Sequence, residues 1–252
     1  MLSNFSIAKE LNKNIFIYPL ITDNIRGATV NLTASEHAWS LKTRDKIYDN
    51  DVIKIPAHDT ALIETNENIH VTKKIAGTYH SKVQLVSRGL GHIGTTLDPT
   101  WFGHSLIALH NNTDDPIEIK RNESIVSLTF HYLNEPAKNF TLDNHSGRYD
   151  VLQKLHMSNI PETMGEEGVG QLDKFKKMCR EKEKDTIKHY LESYEKHFYT
   201  NRNFWLITCC ICILAATICY IVFSSQPTPT TPNFVVMLSV GLITFFLGKL
   251  IK

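Results

Sequence analysis

The sequence predicts a mainly β domain, built as a distorted β-barrel or jelly roll, followed by a long α-helix and two transmembrane α-helices. Three observations predict this class. Residues 1–150 alternate short β-branched and aromatic runs with prolines and Asn/Asp clusters, which is typical of strands joined by turns. Residues 171–200 are rich in Lys and Glu and contain no glycine or proline. Residues 204–223 carry no charge over a length sufficient to cross a bilayer.

Length and charge exclude several classes of protein. The 252 residues, 42% of them hydrophobic, are enough for one packed domain and a smaller additional element. The 27 basic and 26 acidic residues give a net charge of +1, which excludes a strongly basic nucleic-acid-binding protein. Four of the five cysteines lie inside the uncharged run, so neither a disulfide framework nor a zinc site is expected. The first sixteen residues lack the apolar run of a signal peptide.

The β domain, residues 1–150, is predicted from short apolar runs of even spacing. A helix is expected at residues 6–12, with Ser6 as its N-terminal cap. The strands are expected at residues 28–32, 52–55, 60–64, 82–87, 105–110, 117–119 and 125–132. Many short strands with regular turns favour a closed antiparallel architecture over an open parallel sheet.

The region between the β domain and the first uncharged run has two predicted parts. Residues 151–170 form a hinge, since residues 161–170 read PETMGEEGVG and are rich in glycine. Residues 171–203 form a helical connector whose two apolar stripes are eight positions apart, so its heptad pattern is interrupted. Two interpretations of the connector stay open, a short coiled-coil stalk or an amphipathic helix that lies on the domain.

Two hydrophobic segments predict a membrane hairpin. The first span is residues 204–223 and the second is residues 234–251, the latter ending where a lysine can reach the interface. Residues 224–233 form the extracytoplasmic linker, which holds three prolines and no charge. Basic residues flank the hairpin on both sides, which places the soluble domain and both termini in the cytoplasm. These residues are Lys196, Arg202, Lys249 and Lys252.

Residues 56–130 resemble the dCTP deaminase and dUTPase superfamily. The sequence LDPTWFG at 97–103 is similar to the family pattern I-D-P-G-W-x-G, and RGATVNL at 26–32 resembles a deaminase segment that contains G-A-T-V-D. Together with IVSLTF at 125–130, the resemblance covers about residues 20–135. It implies a dUTPase-like β-barrel, a homotrimer, and nucleotide sites at the subunit interfaces.

The resemblance also assigns roles, and one of them is lost. The glutamate that acts as acid and base in the deaminases corresponds here to Ala108, which cannot transfer a proton. Deamination is therefore not expected. The water-activating aspartate of dUTPases corresponds to Asp98, which would be catalytic in an active enzyme. Trp101 corresponds to the ring that packs against the deoxyribose.

The phosphate-binding segment is only partly retained. Residues 81–85, SKVQL, resemble the deaminase segment G-R-S-S-L, with valine in place of a hydroxyl residue. An aspartate associated with metal in the family is replaced by Asn31, so no metal site is predicted and any Mg²⁺ is expected to enter with a nucleoside triphosphate. The predicted nucleotide-binding residues are Lys82, Gln84, Ser87, Arg88 and Trp101.

Three functions remain open from the sequence. The favoured one is a membrane-anchored, catalytically degenerate sensor of a pyrimidine deoxynucleotide that signals to the membrane hairpin. Such an arrangement is similar to bacterial anti-phage effectors, which is an argument from analogy. The alternatives are an active membrane-anchored dUTP diphosphatase or dCTP deaminase, and a trimeric structural scaffold without a ligand. The partners expected are a nucleotide, a lipid bilayer and further copies of the chain, with no nucleic acid.

Overall fold

A computed structural model describes residues 1–92, 94–138, 148–161, 169–194 and 217. Residues 1–191 form one compact unit, and residues 192–252 form a second unit of which little is described. The strands are β1 (Ile15–Tyr18), β2 (Ile25–Arg26), β3 (Thr29–Ser40), β4 (Tyr48–Asp49), β5 (Val52–Ile55), β6 (Thr60–Val71), β7 (Ile75–Ser81), β8 (Leu90–His92), β9 (Thr96–Leu97), β10 (Phe102–Asn111), β11 (Ile117–Lys120) and β12 (Ser124–Tyr132). The helices are α1 (Asn4–Glu10), α2 (Val83–Val86), α3 (Tyr149–Lys154) and α4 (Val169–Lys182), with a 3-10 turn at Thr22–Asn24.

Two antiparallel sheets enclose the main core. The larger sheet has nine strands in the order β8-β10-β6-β3-β12-β7-β9, with β1 beside β6 and β2 beside β3. The smaller sheet has the order β11-β5-β4. Side chains from both sheets are fully buried in one apolar cluster, including Leu32, Ile53, Ile63 and Phe130. The predicted mainly β class of this domain is therefore confirmed.

Two local predictions were wrong. The first helix is α1, and its cap is Ser3 rather than Ser6, because the Ser3 Oγ accepts a hydrogen bond from the Ser6 backbone N–H at 3.2 Å. The run at 82–87 was predicted as a strand but contains the short helix α2. Only Leu85 of this helix is buried, while Val83 and Val86 are exposed, so no alternating apolar face stabilises a strand there.

The segments after the last strand pack on the β domain. Residues 151–161, which fall in the predicted hinge, continue α3 and then turn, with Leu152 fully buried. Helix α4 buries Phe175 and Cys179 against Phe16 and Phe102. A further helical stretch, residues 184–194, adds Ile187 to the main core. Over residues 170–191 both helical stretches pack on the domain, which agrees with the amphipathic interpretation of the connector. Residues 195–203 of the predicted connector lie outside the described residues.

The predicted membrane hairpin lies outside the described residues, apart from the single residue Thr217. Within the described part of the chain, no helix has the length and apolar character needed to cross a membrane.

Candidate functional site

A cavity of about 400 Å³ lies beside the turn that joins β9 to β10, and we call it the Asp98 cavity. The two residues that the sequence assigned to water activation and ribose packing, Asp98 and Trp101, both line it. Its other polar walls come from β7, β10 and the segment before α3. These wall residues are Tyr79, Ser105 and Arg148.

Backbone geometry fixes the two predicted residues in this turn. The Trp101 N–H donates to the Asp98 carbonyl at 3.1 Å, and the Trp101 indole N–H donates to the Gly103 carbonyl at 3.1 Å. Gly103 has φ of +138°, a backbone conformation that favours glycine. The Trp101 carbonyl in turn contacts His70 Nδ1 at 2.8 Å. Burial lowers the pKa of His70 to about 4, so the imidazole is neutral and donates this hydrogen bond.

The cavity combines one carboxylate, one guanidinium and neutral hydroxyl groups. The Tyr79 and Ser105 hydroxyls are 2.6 Å apart, and burial raises the pKa of Tyr79 far above its ordinary value. Two hydrogen bonds of 3.0 Å join Arg148 to Asp150, and this contact raises the pKa of the guanidinium, with a smaller contribution from Asp98. Such a set can hold a hydroxylated ring by hydrogen bonds, with an indole to cover one face of it.

Ala108 lies on the same face of β10 as Leu106, which lines the Asp98 cavity. It pairs with Leu62 on β6, and Leu62 pairs with Trp39 on β3, so the three side chains form one row. Helix α3 covers this row with Leu152, and we call the covered group the apolar cap. At the position that corresponds to the deaminase acid, both the side chain itself, Ala108, and its neighbours are therefore apolar.

The apolar cap is fixed by polar contacts at its edge. The fully buried Trp39 donates its indole N–H to the Ser158 carbonyl at 2.8 Å. The Ser158 N–H donates to the Arg44 carbonyl at 2.8 Å. A carboxylate on the same sheet face, Glu64 of β6, lies opposite Leu106 and is buried. Residues 148–161 thus close the sheet surface next to the Asp98 cavity.

Lys82 lies apart from the Asp98 cavity, at the far end of β7. Its Nζ donates to Asn31 Oδ1 at 2.8 Å, and the Ser127 hydroxyl donates to the same oxygen at 2.9 Å. Burial and the neighbouring Arg26 lower the pKa of Lys82. Because the Asn31 oxygen already accepts two hydrogen bonds, this residue does not fit the role of a magnesium ligand.

The two parts of the predicted site point in different directions. Leu97, the residue before Asp98, pairs with Gly77 near the start of β7. Lys82 directly follows the last residue of that strand and is five positions after Gly77. Because a strand rises about 3.3 Å per residue, the backbones at Gly77 and Lys82 are about 16 Å apart. Tyr79 faces the Asp98 cavity, whereas the next residue along the strand faces the opposite side of the sheet. One chain therefore does not bring Asp98 and Lys82 together.

Two of the remaining predicted residues, Gln84 and Arg88, line a different cavity of about 690 Å³, together with residues of the β11–β12 turn. Arg88 is 2.7 Å from a Glu123 carboxylate oxygen, so its charge is already paired. The Ser87 hydroxyl donates to the Gln84 carbonyl at 3.0 Å. In the described part of the chain, no three His, Cys, Asp or Glu side chains converge as a metal site.

A family model described as dCTP deaminase-like matches residues 1–133, which is more than half of the chain. The chain belongs to this family. The match ends just after β12, so α3 and α4 lie outside the matched residues.

Curated relatives match over the same region. The chain is 29% identical over 138 residues to a dCTP deaminase of Thermococcus kodakarensis, covering 55% of this chain and 89% of the relative. It is 25% identical over 138 residues to a dCTP deaminase of Pyrococcus horikoshii, covering 55% and 88% of the two chains.

Two solved structures are similar to this chain at low sequence identity. The 2'-deoxycytidine 5'-triphosphate deaminase of Agrobacterium tumefaciens is 11% identical, with a TM-score of 0.46, and the match covers 52% of this chain and 47% of that one. A mutant dUTPase of S. aureus phage phi11, which coordinates a structural Mg(II) ion, is 12% identical, with a TM-score of 0.37. That match covers 53% of this chain and 100% of the dUTPase.

Sequence reasoning missed part of the Asp98 cavity of this dCTP deaminase-like chain. Arg148 was not predicted, because it lies after the last strand and beyond the residues that resemble the family. Ser105 is part of a predicted strand and Tyr79 lies just before another. In a strand, the alternation of apolar and polar residues indicates which side chains face the interior, but it does not indicate whether they line a cavity.

Proposed function

We propose that this chain is a membrane-anchored nucleotide-binding protein that binds a pyrimidine deoxynucleoside triphosphate between subunits of a homotrimer and does not deaminate it. One observation carries the proposal. Asp98 and Trp101 line an open cavity, while Ala108, two residues beyond the cavity wall on β10, lies in the apolar cap. The chain thus retains Asp98 and Trp101, which could bind a nucleotide, but lacks the glutamate that would deaminate it.

The separation of the two half-sites supports an interfacial ligand. The Asp98 cavity offers an indole, a carboxylate and a guanidinium for the base and sugar, and the end of β7 offers Lys82, with Arg26 of β2 near it, for phosphates. In this proposal a neighbouring subunit supplies the second half of the site, because Lys82 is about 16 Å along β7 from the position that pairs with Leu97. The dCTP deaminases that the chain resembles support a pyrimidine deoxynucleotide as the ligand.

The presence of Ala108 in place of the deaminase acid, with apolar side chains around it, supports the proposal that the chain binds a nucleotide without deaminating it. Deamination needs a group that moves a proton to and from the reacting base, and the alanine side chain has no such group. The partly buried Ala108 also has apolar neighbours, which offer no group to hold a reacting water molecule. Any Mg²⁺ would enter with the triphosphate, because Asn31 is occupied by Lys82 and Ser127.

The output of such a protein would be the predicted hairpin of residues 204–223 and 234–251. In this proposal the soluble domain and both termini are cytoplasmic, and the connector transmits the ligand-bound state to the membrane. A role in anti-phage defence stays a prediction by analogy.

A second candidate function is dUTP diphosphatase activity, and the retained Asp98 favours it. The Asp98 side chain is exposed in the cavity, where the Thr96 hydroxyl donates to its carboxylate at 3.3 Å. An exposed carboxylate in this position could orient a water molecule against a phosphate group.

The test is a thermal-shift panel on the full-length chain in mild detergent, with dCTP, dUTP, dTTP, dATP and dGTP in the presence of Mg²⁺. A pyrimidine nucleotide at 100 times its Kd is expected to stabilise the chain by about 2.7 kcal/mol. Lys82→Ala is expected to abolish this shift at the same concentration, whereas the exposed Lys54→Ala on β5 is the matched control and is expected to retain it.

Product assays on the same mixtures separate the functions. The proposal predicts neither ammonia nor pyrophosphate. Pyrophosphate release that Asp98→Asn abolishes would establish the diphosphatase instead. Ammonia release would contradict the proposal, and Glu64→Gln would then test the buried carboxylate beside the cavity. If no nucleotide shifts the transition, the ligand-free scaffold replaces the proposed function.

A further inference from the structure

Helix α4 packs on aromatic side chains that extend across three strands. Phe16 of β1 and Phe102 of β10 are both register partners of His70 on β6, so the three side chains lie on the same face of the sheet. The ring centroids of Phe16 and His70 are 5.7 Å apart, and those of His70 and Phe102 are 6.3 Å apart. Phe175 of α4 adds a fourth ring, with its centroid 5.2 Å from that of Phe102. We call these four residues the aromatic row.

The aromatic row is buried beneath α4. Each of its four residues is at most 7% exposed. Rings at these distances attract one another in addition to removing apolar surface from water. Because Phe102 belongs to the sheet and Phe175 to the helix, displacement of α4 would expose the ring of Phe102 to solvent.

The aromatic row is joined directly to the turn that forms one wall of the Asp98 cavity. Phe102 follows Trp101 in the chain, and His70 Nδ1 donates a hydrogen bond to the Trp101 carbonyl at 2.8 Å. The Val71 N–H donates to the same carbonyl at 3.2 Å. Two donors on one carbonyl oxygen fix the peptide group between Trp101 and Phe102, and thereby constrain the backbone from which the indole extends. The packing of α4 and the position of the cavity wall therefore depend on the same residues.

Hydrogen bonds give α4 one defined position on the β domain. The Asn12 side-chain amide donates to the Cys179 carbonyl at 3.2 Å. The Leu20 N–H donates to a carboxylate oxygen of Glu183, the residue after α4, at 3.3 Å, and this contact is buried. Buried polar groups need such partners, so these bonds are satisfied only while α4 is docked.

Helix α4 depends on this docking for its own stability. It has 14 residues, and isolated helices shorter than about 12–15 residues are marginal in water. Release of α4 would therefore remove the cover of the aromatic row and destabilise the helix at the same time. In the sequence, α4 lies between the residues that match the family and the predicted first span at 204–223.

We propose that the docking of α4 holds Trp101 in the position that binds the nucleotide, with Phe175 and His70 as positioning residues, and that a bound nucleotide in turn strengthens the docking of α4. The nucleotide part of this inference rests on the proposed function, whereas the link between α4 and Trp101 does not. The inference adds to the proposed function a defined contact between the Asp98 cavity and the connector.

Linkage gives the effect in both directions. A nucleotide that contacts Trp101 favours the docked state of α4 by the ratio of its affinities for the docked and released states. Docking of α4 strengthens nucleotide binding by the same factor. Loss of the nucleotide therefore loosens α4, and this is the change that the connector passes on along the chain.

The test is hydrogen–deuterium exchange, measured by mass spectrometry on the full-length chain in mild detergent without any ligand. Phe175→Ala is expected to speed the exchange of the Val71 amide and of residues 97–104 by roughly tenfold, because local opening controls exchange. Lys177→Ala is the matched control on the same helix, since the Lys177 side chain is exposed, and it is expected to leave this exchange unchanged.

Two further variants separate a local effect from a general loss of stability. Phe175→Leu keeps a large apolar side chain at the contact and is expected to show intermediate exchange in residues 97–104. If Phe175→Ala does not fold, the comparison of Phe175→Leu with Lys177→Ala decides the question. Ile55→Ala opens a cavity under the smaller sheet and is expected to change the exchange of residues 97–104 less than Phe175→Ala does.

Exchange in the presence of dCTP or dUTP tests the reverse direction. A saturating concentration of the nucleotide that binds is expected to slow the exchange of residues 170–182. Phe175→Ala is expected to raise the Kd of the same nucleotide roughly fivefold or more, as coupled sites commonly do. Phe175→Leu is expected to restore part of the affinity.

The outcomes separate this inference from the proposed function. Unchanged exchange of residues 97–104 in the Phe175 variants would overturn the link between α4 and Trp101, and so would an equal increase in Ile55→Ala. A nucleotide that binds without slowing the exchange of α4 would overturn the regulation. If neither dCTP nor dUTP binds the unmodified chain, the proposed function fails, and the exchange measured without ligand still decides the link between α4 and Trp101.

Discussion

The Asp98 cavity and the segment around Lys82 lie towards opposite ends of β7 and differ in chemistry. The first holds a carboxylate, an indole and a guanidinium that is paired with Asp150. At the second, the Lys82 amino group donates to the neutral side chain of Asn31 and lies near Arg26. Because the two parts face different sides of the sheet, we expect neither to form a complete nucleotide site within one chain. Under the proposed function, copies of the chain supply opposite halves of one site.

The same comparison separates what the chain retains of the family pattern from what it lacks. Lys82 keeps a positive charge in the segment that resembles the family's phosphate-binding residues, whereas Ala108 and the apolar cap stand at the position that corresponds to the deaminase acid. Helix α3, which forms this cap, lies beyond the family match. A segment outside the matched residues thus covers the sheet surface that holds Ala108.

The largest expected effect concerns the apolar cap. Leu152→Ala removes a fully buried side chain that packs on Trp39 and Leu62, so we expect it to lower the free energy of unfolding by roughly 2–5 kcal/mol. Urea denaturation followed by tryptophan fluorescence measures the change. Gln153→Ala, on the exposed side of the same helix, is the matched control and should change stability by less than about 0.5 kcal/mol. A small effect of Leu152→Ala would show that α3 does not seal the sheet.

A smaller effect is expected from restoring the family's acid. Ala108→Glu places a larger, ionisable side chain in the apolar cap, so we expect a loss of about 1–3 kcal/mol in unfolding free energy and no ammonia release from dCTP. Ala108→Gln has nearly the same size and separates the cost of charge from the cost of volume. Deaminase activity in Ala108→Glu would contradict the account, because it would show that the surroundings still support the chemistry.

The strands were predictable where apolar and polar side chains alternate along the sequence, and were missed or misplaced where this alternation is absent. The end of β3 was missed because polar residues follow Leu32, and the strand continues through an irregularity in register between Ala34 and Ala38. The run at 82–87 has the composition of a strand, but only Leu85 meets the core. Composition does not reveal which residues of a short run will be buried.

The site was predictable only in part, for a related reason. Asp98 and Trp101 belong to one short motif, so the sequence alone places them together. The contact of Lys82 with Asn31 joins positions 51 residues apart, and the cavity contact of Arg148 depends on a segment after the last strand. No local sequence pattern predicts contacts between residues so far apart in the chain, because such contacts depend on the order of strands in the sheet and on where the later segments pack.

The most direct test of the interfacial site is subunit mixing. Asp98→Asn and Lys82→Ala chains, each expected to bind no labelled dCTP or dUTP alone, are co-expressed and purified together in detergent. If one subunit supplies the Asp98 cavity and the next supplies Lys82, random mixing in a cyclic trimer restores about one quarter of the sites. Equilibrium dialysis counts these sites. Recovery near that fraction is the result the account predicts, and no recovery in mixed assemblies would contradict it.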